Sequence, residues 1–200
     1  MSLKKYILII ALTVLSAQAN AYMSLAESAE ITRQDKLIVG GYPQVFLNEG
    51  GGVNVGVFAD MALAESLSVR ANAEVGKIDM VLGASVKFTP FPDVDNQPAI
   101  GFRGGFTYAR DENENIVSTH IAALVSKKIQ TDQGIFNPYV GIPVTFSKTK
   151  DENKTGTQFI VGTEFFENES ATLKFGGEVG ISLKDSYSSV LGFVTYSFDR

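Results

Sequence analysis

Apolar and polar residues alternate along most of the chain with a period of two. In residues 171–184 the odd positions are apolar apart from Gly177, and the even positions are polar or glycine. A helix would scatter these side chains around its axis, whereas a β-strand places them on opposite faces. Residues 67–76 and 138–147 repeat the pattern. Each of the three segments is therefore predicted to be a strand with one apolar face.

Further segments follow the same alternation less strictly: 37–47, 53–63, 80–89, 100–110, 116–129, 157–166 and 188–198. Most of these segments approach the ~9–11 residues with which a tilted strand crosses a bilayer. The polar stretches between them have no room for a crossover helix, so successive strands should pair antiparallel. The chain is predicted to be all-β, a closed antiparallel up-and-down barrel of about ten strands, with eight as the alternative count.

Charged residues occupy the middle of the polar face rather than the strand ends, and many glycines share that face. In water such a face would favour Thr, Lys and Glu, because glycine weakens a strand. We therefore expect the polar face to line the lumen and the apolar face to contact lipid, as in a transmembrane barrel. The alternative is a soluble periplasmic barrel, such as a lipocalin-like binding protein, with the apolar face inside.

The charges predicted to line the lumen are balanced between positive and negative groups. A barrel of ten strands has a backbone radius of roughly 10 Å, so long side chains from opposite walls can meet near the axis. Unpaired buried charges would be strongly unfavourable. We therefore expect a lumen filled by paired charges and at most a narrow pore. The residues of this network are Asp60, Arg70, Glu74, Lys87, Arg103, Glu164, Lys174 and Glu178.

Aromatic residues of the apolar face gather near the predicted strand ends. If the chain enters the barrel from the periplasm, one group lies near the periplasmic rim and a smaller one near the outer rim. This is the distribution expected of the two aromatic girdles at membrane interfaces. The girdle residues are Phe88, Phe102, Phe165, Phe175, Tyr196 and Phe198 at the first rim, and Tyr108 and Phe146 at the second.

The N-terminus has the three parts of a secretory signal peptide. Lys4 and Lys5 precede an apolar run that is too short to span a bilayer, and Ala19 and Ala21 occupy the −3 and −1 positions of a cleavage site. Residues 22–35 are polar and aperiodic, so they are interpreted as an N-terminal tail. The predicted organisation is therefore a signal peptide over 1–21, the tail over 22–35 and the barrel domain over 36–200.

The last strand ends with apolar residues at every second position, among them Val194, Tyr196 and Phe198. This resembles the terminal signal of bacterial outer-membrane β-barrel proteins, although Asp199 and Arg200 follow the last aromatic residue. The chain as a whole resembles small outer-membrane barrels of the OmpA-like, OmpX-like and OmpW-like kind. The resemblance implies a monomer in the outer membrane, surrounded by lipid and lipopolysaccharide. It also implies assembly by the barrel-assembly machinery with periplasmic chaperones.

Composition narrows the chemistry. The net charge is −5, which gives no basic surface for nucleic acid. Cysteine is absent and His120 is the one histidine, so thiolate chemistry and multi-histidine metal sites are excluded. Ser118 and His120 share the lumen face, which leaves a lipid-modifying enzyme, a lipid A or phospholipid hydrolase, as the alternative function. Asp93 and Asp95 suggest a polar turn, with a calcium site as the alternative. We expect a structural or interaction protein that is not an enzyme and that needs no cofactor or metal.

Overall fold

A computed structural model describes residues 24–48, 51–111, 114–150 and 153–200. The predicted signal peptide and the loop residues Glu112, Asp151 and Glu152 lie outside these ranges. No helix in the described ranges is long and apolar enough to cross a membrane. The strands are β1 (Lys36–Phe46), β2 (Gly52–Ala64), β3 (Leu67–Gly76), β4 (Met80–Phe91), β5 (Ala99–Asp111), β6 (Glu114–Ser126), β7 (Ile129–Thr131), β8 (Gly134–Lys148), β9 (Asn153–Phe166), β10 (Leu173–Lys184) and β11 (Ser189–Asp199).

The strands form one antiparallel sheet that closes on itself. From β1 to β6 and from β8 to β11 each strand pairs with the next, while β6 pairs with β8 and β1 pairs with β11. The short β7 pairs with β8 and extends the sheet beyond the end of β6. Without β7, ten strands make up the ring. The predicted closed up-and-down barrel of ten strands is confirmed, and the alternative of eight is wrong.

The predicted strand over 116–129 is interrupted near its end. β6 stops at Ser126 and the chain resumes extended structure only at Ile129. The backbone N–H of Lys128 donates to the carboxylate of Asp93, 2.7 Å away in the connection between β4 and β5. A donor engaged by a side chain is lost to the sheet ladder, so the strand breaks at this point.

The barrel has two ends, which we name by the chain. The terminal rim holds the start of β1, the end of β11 and the connections that follow β2, β4, β7 and β9. The distal rim holds the connections that follow β1, β3, β5, β8 and β10. At the terminal rim an ion pair between Lys36 and Asp199 and a hydrogen bond of 2.9 Å from Arg200 N to Asp35 O join the two ends of the barrel domain.

The outer face carries a row of valines that crosses strand after strand. The members of the row are directly paired in the antiparallel register and their exposed fractions lie between 37% and 50%. β-Branched side chains favour the extended backbone, but in water such an exposed band would be costly. The row consists of Val125, Val140, Val161, Val179, Val190, Val45 and Val53.

The inner face pairs aromatic rings with glycines on the neighbouring strand. Tyr139 lies directly opposite Gly162, and a Cβ on that glycine would come within 2.3 Å of the ring. Phe193 has the same relation to Gly176, where the distance would be 2.1 Å. The rings therefore lie flat over positions that have no side chain. The other two pairs of this kind are Tyr42 with Gly56 and Phe58 with Gly40.

The part of the predicted N-terminal tail that the structure describes enters the barrel. From Asp35 at the terminal rim the chain runs back into the lumen, and Leu25 and Ala29 have no exposed surface. Both belong to the core cluster that also contains Tyr139 and Ile160 on the inner wall. We call residues 24–32 the inner segment.

Candidate functional site: the lumen and its inner segment

One wall of the lumen, formed by β3, β4 and β5, supplies three cations to the inner segment. Glu27 forms an ion pair with Lys87 at 3.0 Å, contacts Arg70 at 3.5 Å and pairs with Arg103. All four side chains are buried. Because a buried carboxylate needs compensating charge, Glu27 and the three cations stabilise one another inside the barrel.

The opposite wall, on β9 and β10, supplies two carboxylates. The carboxylate of Glu178 accepts the backbone N–H groups of Leu25 and Ala26 at 3.1 Å and 2.8 Å. Glu164 accepts the backbone N–H and the hydroxyl of Ser28 at 2.9 Å and 3.1 Å. These bonds provide partners both for the buried carboxylates and for the donors of a segment that belongs to no strand.

The carbonyl groups of the inner segment are bound as well. Arg70 donates to Leu25 O at 2.5 Å, and Thr89 donates to Ala29 O at 3.0 Å. Lys87 donates to Ser28 O at 3.2 Å and to Glu30 O at 2.7 Å. The backbone of the segment is therefore held by side chains from both walls.

The structure places the predicted lumen charges on the inner face but pairs them differently from our expectation. Asp60 and Arg70 form a direct ion pair at 2.7 Å. Glu74 accepts a hydrogen bond from Tyr42, and the half-buried Lys174 lies 4.3 Å from the ring centre of Phe166. The other members of the network, Lys87, Arg103, Glu164 and Glu178, bind the inner segment.

Sequence reasoning missed Glu27, because it lies in an aperiodic stretch that looked like solvated chain. The positive and negative residues predicted to line the lumen were already equal in number, so the charge balance did not require another carboxylate. A signal was present in the run around it: Ala26, Ser28 and Ala29 are all small. Small residues on either side of a carboxylate suit a segment that must fit inside a narrow barrel.

Two cavities remain beside the inner segment, and the side chains of Phe58 and Arg70 line both. The larger, about 190 Å³, opens at the terminal rim between the inner segment and strands β1, β10 and β11. The smaller, about 30 Å³, lies beyond it toward the distal rim, next to Ser24, Tyr42 and His120. The guanidinium carbon of Arg70 lies 3.9 Å from the ring centre of Phe58. This stacked pair separates the two spaces.

A cluster of apolar side chains lies at the distal end of the lumen. Phe46, Val81 and Ala109 extend inward from β1, β4 and β5, and Ile78 joins them from the turn after β3. The ring of Tyr187 packs on Phe46 with 5.1 Å between the ring centres. Buried polar side chains also lie at this end of the lumen, so the cluster narrows it without making it wholly apolar.

Ion pairs fasten the inner segment and its surroundings at the terminal rim. Lys128 lies 3.0 Å from the carboxylate of Glu30 and 3.2 Å from that of Glu169. Burial would lower the pKa of Lys128, but these two carboxylates raise it above its usual value. The inner segment is thereby linked to the connections that follow β6 and β9.

The ammonium group of Lys127 lies at the turn of Asp93 and Asp95, for which the sequence analysis gave a calcium site as the alternative. Its ammonium pairs with the carboxylate of Asp93 and donates to the carbonyl oxygens of Asp95 and Gln97 at 2.5 Å and 3.3 Å. Burial would raise the pKa of Asp93, but the hydrogen bonds from Lys127 and from the Lys128 backbone hold it below its usual value. The turn is therefore organised around a lysine.

The two residues considered for catalysis are not joined to each other. The hydroxyl of Ser118 is 2.8 Å from that of Ser147 on β8, and either can donate. His120 lies two residues further along β6 and lines the smaller cavity. The side chains of Ser118 and His120 lie on the same wall, but the partner of the Ser118 hydroxyl is Ser147.

The predicted girdle residues lie on the outer face. Near the terminal rim Phe88 is paired with Phe102, and Phe165 with Phe175, in the sheet register. Tyr108 on β5 and Phe146 on β8 lie toward the distal rim. Sequence reasoning missed Phe91, Phe106 and Phe136, which also have exposed rings.

The residues predicted as an assembly signal belong to the strand that closes the barrel. Val194, Tyr196 and Phe198 point outward from β11, and the rings of Tyr196 and Phe198 lie 4.7 Å apart. In the register they face Gly41, Val39 and Leu37 of β1.

Several solved structures of outer-membrane proteins are similar to this chain. The COG4313 outer-membrane channel from Pseudomonas putida F1 matches with a TM-score of 0.55 at 9% sequence identity, over 88% of this chain and 100% of that one. LpxR from Salmonella typhimurium matches with a TM-score of 0.45 at 12% identity, over 74% and 73% of the two chains. The N-terminal barrel domain of OprF from Pseudomonas aeruginosa matches with a TM-score of 0.36 at 9% identity, over 82% and 98%.

The chain has the fold of an outer-membrane β-barrel. Neither a family model nor a curated protein matches the sequence. At these identities the likeness shows the fold alone. It agrees with an outer face of exposed valines and aromatic rings and with an inner face of buried charges. The arrangement of one apolar and one polar face expected from the sequence is therefore that of a membrane barrel.

Proposed function

We propose that this protein is a structural or interaction protein of the bacterial outer membrane with a closed lumen and at most a narrow path through it. The observation that carries the proposal is the inversion of its two faces. Valine and phenylalanine side chains are exposed around the outside, while arginine, lysine and glutamate are buried inside. A barrel with this distribution of side chains is suited to lipid.

Three features along the axis support a closed lumen. The inner segment occupies the terminal half beside the larger cavity, the stacked pair of Arg70 and Phe58 lies between the two cavities, and the apolar cluster around Phe46 narrows the distal end. A general porin needs a continuous aqueous channel, which is at odds with all three features.

Export and surroundings are part of the proposal. The signal peptide over 1–21 would direct the chain to the periplasm, where chaperones and the barrel-assembly machinery would receive it and read the end of β11. Around the barrel, lipid would contact the outer face, and lipopolysaccharide would meet charged residues at the distal rim such as Lys150 and Lys154. We expect a monomer, because each strand already has two neighbours in the ring and no strand edge is left to pair with a second copy.

Membrane fractionation combined with gel mobility tests the proposal. We expect the expressed protein in the outer-membrane fraction, and we expect the folded barrel to migrate differently before and after boiling. OprF or another established barrel run on the same gel controls for the method. Recovery of the protein in the periplasmic wash, with mobility unchanged by boiling, would contradict it.

The orientation of the barrel is tested separately. With both termini of the barrel domain in the periplasm, a peptide tag inserted into the connection between β8 and β9 should be accessible on intact cells. The matched insertion between Pro92 and Pro98, in the connection between β4 and β5, should be labelled only after the outer membrane is opened. The reverse pattern would show that the barrel is inverted.

A further inference from the structure

The barrel holds the inner segment as a receptor holds a peptide. The N–H groups of Leu25, Ala26 and Ser28 and the carbonyl groups of Leu25, Ser28 and Ala29 are all bound by side chains of the barrel wall. The bonds come from both walls, so the lumen binds the backbone of an irregular chain on two sides, with a left-handed φ of 45° at Ala26. Main-chain recognition of this kind supplies affinity in peptide-binding proteins.

Side chains of the inner segment add selectivity to this backbone recognition. Glu27 meets three buried cations, so a carboxylate is required at this position. Leu25 lies over Gly141, where a Cβ would come within 2.5 Å of its methyl group, and Ala29 lies 3.6 Å from the corresponding point at Gly101. At these two points the wall is in close contact with the segment, so side chains larger than leucine and alanine would not fit there.

The segment leaves the lumen through an exposed link. Arg33 and Asp35 pair with each other at 2.8 Å, and their side chains are more than half exposed, at 58% and 55%. A short tether gives the segment an effective concentration on the order of millimolar, which keeps even a modest ligand bound. The segment can therefore occupy the lumen even if it binds there reversibly.

We propose that the lumen between the wall of β3 to β5 and the wall of β8 to β10 is a binding site for an acidic peptide, and that the inner segment occupies it as an exchangeable ligand. The ligand class is a peptide with one carboxylate flanked by small residues. Glu27 provides the carboxylate, the three cations recognise it, and Glu164 and Glu178 bind the peptide N–H groups. This inference concerns what fills the lumen and goes beyond the proposed role of the barrel in the membrane.

The test cuts the link between the inner segment and the barrel, so that the segment can leave the lumen and be replaced. A recognition sequence for a site-specific protease is inserted between Arg33 and Gln34 of the full chain, and the refolded protein is cut in detergent. A synthetic peptide of residues 22–33, labelled at its C-terminus, is then added to cut and uncut protein. Binding is followed by fluorescence anisotropy, and release of the original fragment by mass spectrometry. Neither readout depends on where in the cell the barrel resides.

We expect the labelled peptide to replace the fragment in the cut protein and to bind saturably, and to bind the uncut protein at least tenfold more weakly. A peptide carrying Glu27→Gln should bind the cut protein at least tenfold more weakly than the natural sequence. The matched peptide with Glu30→Gln loses the same charge but only the one ion pair with Lys128, so its binding should weaken by less than that of the Glu27→Gln peptide.

Three results would overturn the proposal. In the first, the cut protein retains its own fragment and never takes up the labelled peptide. In the second, the cut protein releases the fragment and binds no peptide. In the third, the Glu27→Gln peptide binds as tightly as the natural sequence. Because the Glu27→Gln substitution is made in the peptide and both peptides meet the same barrel, misfolding of a variant cannot produce the third result.

Discussion

At the scale of single residues, the glycines of the inner face make space for aromatic rings from the next strand. Gly176 and Gly177 are neighbours on β10 and show the contrast directly. A Cβ on Gly176 would come within 2.1 Å of the Phe193 ring, whereas the nearest atom to a Cβ on Gly177 would be a backbone oxygen at 3.7 Å. Only the inward position requires the absence of a side chain.

Gly176→Ala should therefore destabilise the barrel by about 1–3 kcal/mol, because the buried ring of Phe193 must leave its place. Gly177→Ala should change the free energy of unfolding by less than about 0.5 kcal/mol. Urea titration of the refolded proteins in lipid vesicles measures both, with the folded fraction read from gel mobility. Equal effects of the two substitutions would contradict the assignment of inner and outer faces.

A charge on the outer face should be far less tolerable than a polar group on the inner one. Val179 belongs to the valine row near the middle of β10, so Val179→Arg should cost roughly 2–4 kcal/mol at mid-membrane. The matched change at the next position, Gly180→Ser, places a hydroxyl near Ser189 and should be milder. The same urea titration compares them. Similar stability of the two variants would show that this face does not contact lipid.

At the scale of elements, the connection between β4 and β5 is fixed by one carboxylate. Asp93 binds the Lys127 ammonium and the Lys128 backbone, whereas Asp95 contributes to the contact with Lys127 only through its carbonyl oxygen. Asp95 has a φ of 50°, a conformation that asparagine adopts as readily as aspartate. The two aspartates of the turn thus differ in what their side chains do.

Asp93→Asn should destabilise the barrel by about 0.5–1 kcal/mol at pH 7, and Asp95→Asn should have little effect. The folded pKa of Asp93 is below its value in the unfolded chain. Its contribution is therefore fully present above the unfolded pKa, about 4, and is lost as the pH falls through the folded pKa. Urea titrations at pH 7, 5 and 3 should show the Asp93→Asn effect shrinking toward pH 3. An effect that stays constant or grows would contradict this account.

The strands were predictable because the alternation of residues directly reflects a sheet with two different faces. The break after Ser126 was not, since it depends on Asp93, which is distant in sequence and takes a ladder donor from Lys128. The inner position of Glu27 was hidden for a related reason. Local periodicity reports regular strands, whereas an irregular segment is placed by its partners on opposite walls.

At the scale of the whole molecule, the barrel is assembled around its own N-terminal residues. One wall carries an excess of cations and the opposite wall an excess of carboxylates. The inner segment provides partners for both, because Glu27 pairs with the cations and backbone N–H groups of the segment bind the carboxylates. The apolar cluster around Phe46 narrows the other end. The central claim is therefore a membrane barrel whose lumen is filled.

Conductance of the refolded protein in a planar bilayer tests that claim most directly. The unmodified protein should show low or flickering conductance, and Glu27→Ala and Glu164→Ala should raise it, because each removes a partner that holds the inner segment. The matched control Glu65→Ala, in the exposed turn after β2, should behave like the unmodified protein. A stable conductance at the nanosiemens level from the unmodified protein in ordinary salt would contradict the filled lumen.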